Sequence, residues 1–422
     1  ALTSASWLWL TLAGKACLLL GAALQLPLAL RLMMSVLQRG VSPRQPRLGW
    51  LVADSRWLLG PAALALMAMT LALVANSGLN TMIDSFRAAT DQWLEQRLAA
   101  DLFLRAPNDL DEIQSRVDTL APGVNAVERY RTTVDAPAPA GGFSRVEVVS
   151  LQDGERYRDS VDLVSGVAEA AALFEAGQGI YISERSWRLD GWQPGQTVEA
   201  CPTGEALPVL GVYHDYGNPL SQWLVSRDLF LACWPGLTPV SFSLYGPEET
   251  PWENVRSGLI EALDLAEESV IDQKALKSVG MSVFDRTFAV TRALNGLTLL
   301  VAAIGIFCAV SAIHHHRVDQ QALLASLGIS RRQRGAMLLA QWGLLGLLCL
   351  VLVWPFGMLL AGYLASVVTP AAFGWSFPLP FDAARYLELA GWAMVSLFLA
   401  VLLPSIRLLR ASPAALLREN SL

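Results

Sequence analysis

Long apolar runs alternate with polar stretches along this chain, and their lengths decide what each can form. Residues 7–37, 57–79, 289–313, 336–368 and 386–409 are dominated by apolar side chains. A bilayer core takes about 20 such residues as a helix, so each run predicts a membrane span. Lys15, Pro27 and Arg31 interrupt the first run, and Pro27 predicts a kink because it removes one backbone hydrogen bond. Pro61 falls in the first turn of the second, where proline is tolerated. Two runs continue beyond membrane length. Met82, Ile83, Phe86, Trp93, Leu94 and Leu98 keep a helical period past residue 79, and Ser278–Asn295 does so through Phe284, Phe288 and Val290. The two extensions predict a packed helical stalk.

Between them the period changes. ADLFLRAP and RVEVVSL alternate like strands, and DLDEIQSRVDTLAPG reads as a capped helix ending at Gly123. Gly179–Ala200 reads strand, short helix, turn, strand; Pro208–Gly217 reads as a strand closing in a glycine turn; WENVRSGLIEALDLA reads as a helix. Ala136–Gly142 is a loop. The expected class is a membrane protein: an α-helical transmembrane bundle with an extracytoplasmic α+β domain carried on a helical stalk.

One polar island, Arg317–Arg334, separates the third and fourth apolar runs. Gln320 to Leu327 are good helix formers, with Leu323, Leu324 and Leu327 forming a one-sided ridge. Gly328 reads as a helix stop and Ser330 as the N-cap of the next helix. A short exposed helix between two spans is a surface that a soluble partner could push on; an ordinary solvated loop is the plainer alternative. Ahead of the second run, Trp50, Leu51 and Trp57 predict an amphipathic helix at the membrane surface, with Arg47 and Arg56 reaching water. Trp375 and Tyr386 are expected at the interfacial belt.

Charge sets the orientation. The island carries Arg317, Arg331, Arg332 and Arg334 against Asp319, and Arg31, Arg39, Arg407 and Arg410 flank other spans on the same side. By the positive-inside rule that side is cytoplasmic. Residues 80–285 hold 32 acids and 15 bases, the rest of the chain 5 acids and 16 bases, so the middle segment lies outside. No basic face remains for nucleic acid.

Candidate chemistry is sparse. The sequence has no phosphate-binding Gly-x-x-x-x-Gly-Lys-Ser/Thr loop and no Gly-x-Ser-x-Gly elbow. His314, His315 and His316 are consecutive, pointing about 100° apart on a helix, and read as a polar boundary rather than a metal site. His214 and Asp215 are strand neighbours facing opposite sides, which argues against a relay. Few charges fall within the apolar runs, so no ion pathway is marked. Cys17, Cys308 and Cys349 lie in spans, whereas Cys201 and Cys233 share the outer segment, where an oxidising compartment permits one disulfide.

Two stretches carry a resemblance. LLASLGISRRQ (Leu323–Gln333) resembles the "LRALGASRRQ" element of FtsX/MacB-like (type VII, mechanotransmission) ABC transporter permeases, and LPSIRLLRASPAALLRE (Leu403–Glu419) resembles that family's closing "P…R…R…P…LR". The outer segment is similar to the family's periplasmic domain at Gly179–Ala200 and Pro208–Gly217. The likeness covers about residues 48–419. One departure is Asp319-Gln320-Gln321, where the family often has an acid before the leucines.

The resemblance implies a division into a span from a preceding section (1–37), a cytoplasmic linker with an interfacial helix (38–56), a span and stalk (57–99), the periplasmic α+β domain (100–277), a stalk and span (278–313), a cytoplasmic coupling helix (314–335), a span (336–368), a periplasmic loop (369–385), a span (386–410) and a cytoplasmic tail (411–422). It implies ATPase coupling through Asp319, Gln320, Leu323, Leu324, Leu327, Gly328, Ile329, Ser330, Arg331 and Arg332. The expected protein is no enzyme and carries no cofactor; ATP and Mg belong to a partner ABC ATPase dimer in the cytoplasm. Further expected partners are a preceding permease half, a periplasmic accessory protein or hydrolase, and lipids of a bacterial inner membrane. The chain opens Ala-Leu-Thr, from which no signal peptide is expected, and it is expected to be the second half of a ten-span-type permease. The expected activity is movement or extraction of a hydrophobic cargo (lipid, lipoprotein or peptide). The alternative is a non-transporting scaffold that transmits ATPase state to a periplasmic hydrolase.

Overall fold

The structure is a computed structural model that describes residues 2–40, 46–105, 109–151, 161–202, 204, 206–216, 218–247, 249–379 and 382–410. It divides into two compact units, residues 1–85, 288–365 and 379–422 in the first, and 86–287 and 366–378 in the second.

The first unit is helical. Its elements are α1 (Leu2–Gly40), α2 (Pro46–Leu58), the first part of α3 (Ala63–Arg97), most of α8 (Gln273–His316), α9 (Val318–Ser326), α10 (Arg331–Tyr363) and α12 (Ala383–Arg410). Among the described residues, four helical stretches are long and apolar enough to cross a membrane: Ala63–Glu95, Gln273–Ile313, Arg331–Phe373 and Ala383–Ile406. The expected first span, 7–37, lies within α1, whose N-terminal side chains fall largely outside the described residues. Pro61 sits in the turn before α3, one step earlier than its expected place inside the first helical turn.

Polar side chains register the helices against one another. Asn76 of α3 donates to the Asn295 carbonyl of α8 at 2.9 Å, and Asn295 Nδ2 returns a bond to Asn80 Oδ1 at 2.8 Å. In an apolar surround an unmet amide is costly, so such pairs fix rotation and depth between helices. Arg385 of α12 forms an ion pair with Asp84 of α3, and Tyr386 donates to the Leu350 carbonyl of α10.

The second unit is α+β. Among the described residues its smaller sheet is antiparallel, in the order β11 (Val270–Asp272), β1 (Leu102–Leu104), β10 (Ser241–Tyr245), β2 (Asn125–Arg129). Helices α4 (Leu110–Leu120) and α7 (Trp252–Ala262) cover it, burying Ile113, Val117, Val255 and Leu259 against Leu102, Leu104, Phe242 and Leu244. The larger sheet is mixed, ordered β3 (Arg131–Pro137), β4 (Phe143–Leu151), β9 (Ser221–Ser226), β6 (Ile180–Ser183), β8 (Ala206–Tyr213), β5 (Leu163–Gly166), with β7 (Thr197–Glu199) pairing with β8.

Every residue of β6 and β9 is buried, because short helices cover both faces of that sheet. Helix α6 (Arg227–Cys233) places Leu229 and Phe230 on one face, and α5 (Ala170–Glu175) places Phe174 on the other. Such strands read as continuous apolar or mixed runs rather than alternation. The Sγ atoms of Cys201 and Cys233 are bonded, joining the residue after β7's end region to the end of α6, with Cα atoms 5.0 Å apart.

The expected stalk contacts are present inside this unit. Arg87 and Asp285 pair at 3.2 Å, Lys277 reaches Asp91 and Glu95, and the Phe86 and Phe284 rings lie 5.1 Å apart. The expected loop 369–385 is more ordered than its composition suggests. A π-helical turn (Leu364–Val368) runs into α11 (Thr369–Phe373), and an extended strap follows. Trp375 of that strap is buried against Phe86 and Tyr216 instead of facing lipid, because aromatic neighbours from three chain segments enclose it. Pro208–Gly217 ends its strand at Tyr213, and Gly217 lies outside the described residues.

Candidate functional site

The sequence directs attention to α9 and its flanks, all within the helical unit. Helix α9 ends where the Gly328 N–H bonds to the Ala325 carbonyl and Ile329 N–H to that of Leu324. Gly328 adopts φ +86°, a left-handed conformation that glycine takes without a steric penalty. Ser330 then caps α10: its hydroxyl accepts from Gln333 N–H, and the Gln333 side chain accepts from Ser330 N–H, a reciprocal capping box. Two helices are thus joined by a turn whose geometry is fixed by three residues.

The ridge divides on this frame. Leu323 is 61% exposed and Leu327 71%, while Leu324 and Ile329 are half-buried. Leu323 and Leu327 lie four apart and share one face. Arg331 and Arg332 are exposed on the first turn of α10; Gln320 is half-buried and points inward. Asp319 has its side chain outside the described residues, as do His314–His316 and Arg407–Arg410.

Two of the island's arginines are not the solvated charges that a cytoplasmic loop suggests. Arg317 is only 2% exposed. Its Nη1 and Nη2 donate to the two carboxylate oxygens of Asp54 on α2, at 2.9 and 3.3 Å, in the fork geometry that matches a carboxylate. Gln341 of α10 also donates to Asp54, Gln320 Nε2 reaches it at 3.4 Å, and the Trp57 ring lies 4.6 Å from the guanidinium. Arg334, also buried, donates to the Gln321 carbonyl at 3.0 Å, tying α10 back to α9. Asp54 was missed by the sequence reading, which credited the island with Asp319 as its one acid. A lone acid on an amphipathic helix 263 residues away carries no local signal.

Helix α2 itself buries Val52, Ser55 and Leu58 and leaves Trp57 exposed, so one side packs into the bundle. What the arrangement offers chemically is mechanical: an exposed apolar pair on a rigidly held short helix, with no metal-ligand cluster among the described residues.

The α+β unit holds a second cluster of polar side chains. His214 Nδ1 lies 3.2 Å from Glu184 Oε2, and Ser376 donates its hydroxyl to Glu184 Oε1 at 2.7 Å. Serine, histidine and acid are therefore together, but the acid stands between the other two. That order is not a nucleophilic relay, in which histidine lies between nucleophile and acid. Burial works to raise the Glu184 carboxyl, yet hydrogen bonds from His214, Ser376 and Arg188 outweigh it and hold the group below the usual carboxylate range. Asp215 is pushed the other way: burial raises it, with Arg97 and Asn218 opposing. His214 and Asp215 share no hydrogen bond among those described, in keeping with strand neighbours that face apart.

Comparison with known proteins adds the following. Residues 292–413 match the family model "FtsX-like permease C-terminal", a stretch that includes the Arg317–Arg334 island and the last two long helices. An uncharacterized ABC transporter permease protein of Mycobacterium tuberculosis is 26% identical over 383 residues, covering 86% of this chain. The chain spans less than half of that relative, 44% of its length. Among solved structures, the periplasmic region of MacB from Actinobacillus actinomycetemcomitans aligns with TM-score 0.30 and 14% identity, covering 44% of this chain and 97% of that one. The extracellular domain of the noncanonic ABC-type transporter YknZ from Gram-positive bacteria aligns with TM-score 0.28 and 14% identity, covering 41% and 98%.

Proposed function

We propose that the chain is an FtsX/MacB-like permease, a membrane protein with an extracytoplasmic α+β domain, and that it couples ATP hydrolysis by a separate cytoplasmic ABC ATPase to that domain; the family-model match, the permease relative and the four membrane-length helices support this reading. The observation that carries this reading is the pairing of opposites in α9. Its inner side is held by a buried charge pair, and its outer side presents Leu323 and Leu327 to solvent. Apolar side chains displayed on a rigid frame suit a groove on a soluble partner, where a few anchors supply most of the binding.

In this reading an ATPase dimer binds ATP and Mg, closes, and displaces α9. The displacement travels through the long helices, and the outer domain moves or extracts a hydrophobic cargo (lipid, lipoprotein or peptide) at the outer face of a bacterial inner membrane. The relative's greater length leaves room for a second permease half, and this reading puts that half before the present chain. An accessory protein or hydrolase outside the membrane would be the recipient in the alternative, non-transporting version.

Site-specific photocrosslinking tests the docking. A photoreactive residue at position 327 should capture an ABC ATPase in cells, whereas the same residue at Leu64, which is even more exposed on α3, should capture none. Equal capture from both positions, or none from 327, would remove the reading's support.

A further inference from the structure

The acid of the buried charge pair that holds α9 comes from α2, an element with no part in the docking surface. Asp54 receives Arg317 through both terminal nitrogens, Gln320 of α9, and Gln341 of α10. One turn further along α2, Trp57 lies over the same guanidinium. The carboxylate is thus the single acceptor that α9, its N-terminal flank and α10 share. The Arg317 side chain is 3% exposed and that of Asp54 12%. Pulling such a pair apart leaves each charge poorly solvated, so under load it resists separation far more than a surface ion pair does. Helix α2 in turn packs against α1 and α10.

We propose that Asp54 is a positioning residue that locks α2 to α9, so that the two helices move as one body and α2 carries the coupling displacement into the bundle. The proposal rests on the coupling function of α9 and names a route for it. In the alternative, α9 would hinge about Arg317 and drive α10 alone, with α2 a passive strip.

A reversible crosslink separates the two. The complex with its ATPase is purified in mild detergent carrying Asp54→Cys and Gln320→Cys, and its ATP hydrolysis is measured relative to the ATPase alone. Reduced, the pair lacks the Asp54 lock, and stimulation should fall about tenfold, within the usual range of coupling between sites, while the ATPase still copurifies. Oxidation joins α2 to α9 covalently and should restore stimulation. A loss of stimulation on oxidation would overturn the proposal, because it would mean that the helices must move apart. Unchanged stimulation in the reduced form would overturn it as well.

Asp54→Glu, which keeps the carboxylate, should retain most of the activity, and recovery of the cysteine pair on oxidation is a result that mere damage to folding by the cysteines would not give. Leu323→Asp in the same assay keeps the two claims distinct. If it abolishes capture of the ATPase while both Asp54 variants are silent, only the route through α2 fails. If Leu323→Asp is itself silent, the coupling reading fails and takes this proposal with it.

Discussion

Replacing Glu184 by Gln should release the strap that follows α11. Glu184 is fully buried at the end of β6, and it accepts from Ser376 N–H at 2.9 Å, from the Ser376 hydroxyl at 2.7 Å and from Arg188 Nε at 2.7 Å, with His214 Nδ1 at 3.2 Å. An amide keeps the shape but can offer only one oxygen; its NH₂ must face donors on the other side. Hydrogen bonds to a charged group contribute about 1.5–3 kcal/mol each. Arg188 is about a third exposed, so its share is discounted for screening. Loss of the bonds from one oxygen and of the charge then leaves about 3 kcal/mol, near the low end for breaking a buried pair.

Local opening of the strap should become about a hundredfold more frequent, since 1.36 kcal/mol is a factor of ten. Hydrogen exchange by mass spectrometry on the whole chain in detergent reads this in peptides covering 374–378. The pH profile follows from the depressed Glu184 carboxyl. A group held below its unfolded value stabilises above the unfolded carboxylate pKa, about 4.3, and the contribution is lost as pH falls through the lower folded value. Protection in the wild type should therefore be flat at neutral pH and decline only below about 4.3. Exchange at Ser376 unchanged by Glu184→Gln would refute the claim that this carboxylate holds the strap.

Three further outcomes are expected. Cys201→Ser with Cys233→Ser should lower the unfolding midpoint of the chain, by the equivalent of about 2–4 kcal/mol, and abolish the difference between reducing and non-reducing gels. Asn76→Leu removes the donor to Asn295 and Thr298 and should destabilise the bundle by about 0.6–2 kcal/mol in detergent melts, whereas Ser326→Ala on the exposed side of α9 should have no measurable effect. Gly374→Val should loosen the strap as Glu184→Gln does, read by the same exchange experiment. Gly374 sits at φ +85°, and an added Cβ would come 3.0 Å from Arg185 Cγ and Leu189 Cδ1.

Much of the fold is legible because its signals are local. An apolar run of sufficient length must be a helix in a bilayer, so the spans from 57 onward are readable from composition alone. Gly328 and Ser330 announce a stop and a start through their own backbone and side-chain preferences, and the stop and cap lie at those residues. The disulfide partners Cys201 and Cys233 are legible by elimination within one segment.

What escapes is long-range pairing of polar groups. Glu184 looks like any strand-end acid until Ser376, 192 residues later, is laid beside it. Asp54 looks like a solvated charge on a surface helix until Arg317 reaches it across 263 residues. Trp375 misleads for a related reason: an interfacial tryptophan and a buried one have the same sequence surroundings, and only the arrival of Phe86 and Tyr216 distinguishes them.

The proposed function rests on α9 as the element that a partner ATPase engages. Leu323→Asp tests it most directly, because Leu323 is exposed and the substitution leaves the Asp54–Arg317 pair and the capping box in place. In solvent the change costs little beyond helix propensity, about 0.5 kcal/mol. In a desolvated groove it places an unpaired carboxylate against apolar surface, a penalty of several kcal/mol. The measurement is the ATP hydrolysis rate of the ABC ATPase copurified with the full chain in mild detergent, with Ser326→Ala as the neighbouring control. Leu323→Asp is expected to yield a folded permease that neither retains nor stimulates the ATPase, while Ser326→Ala matches the wild type. Full retention and full stimulation with Leu323→Asp would contradict it.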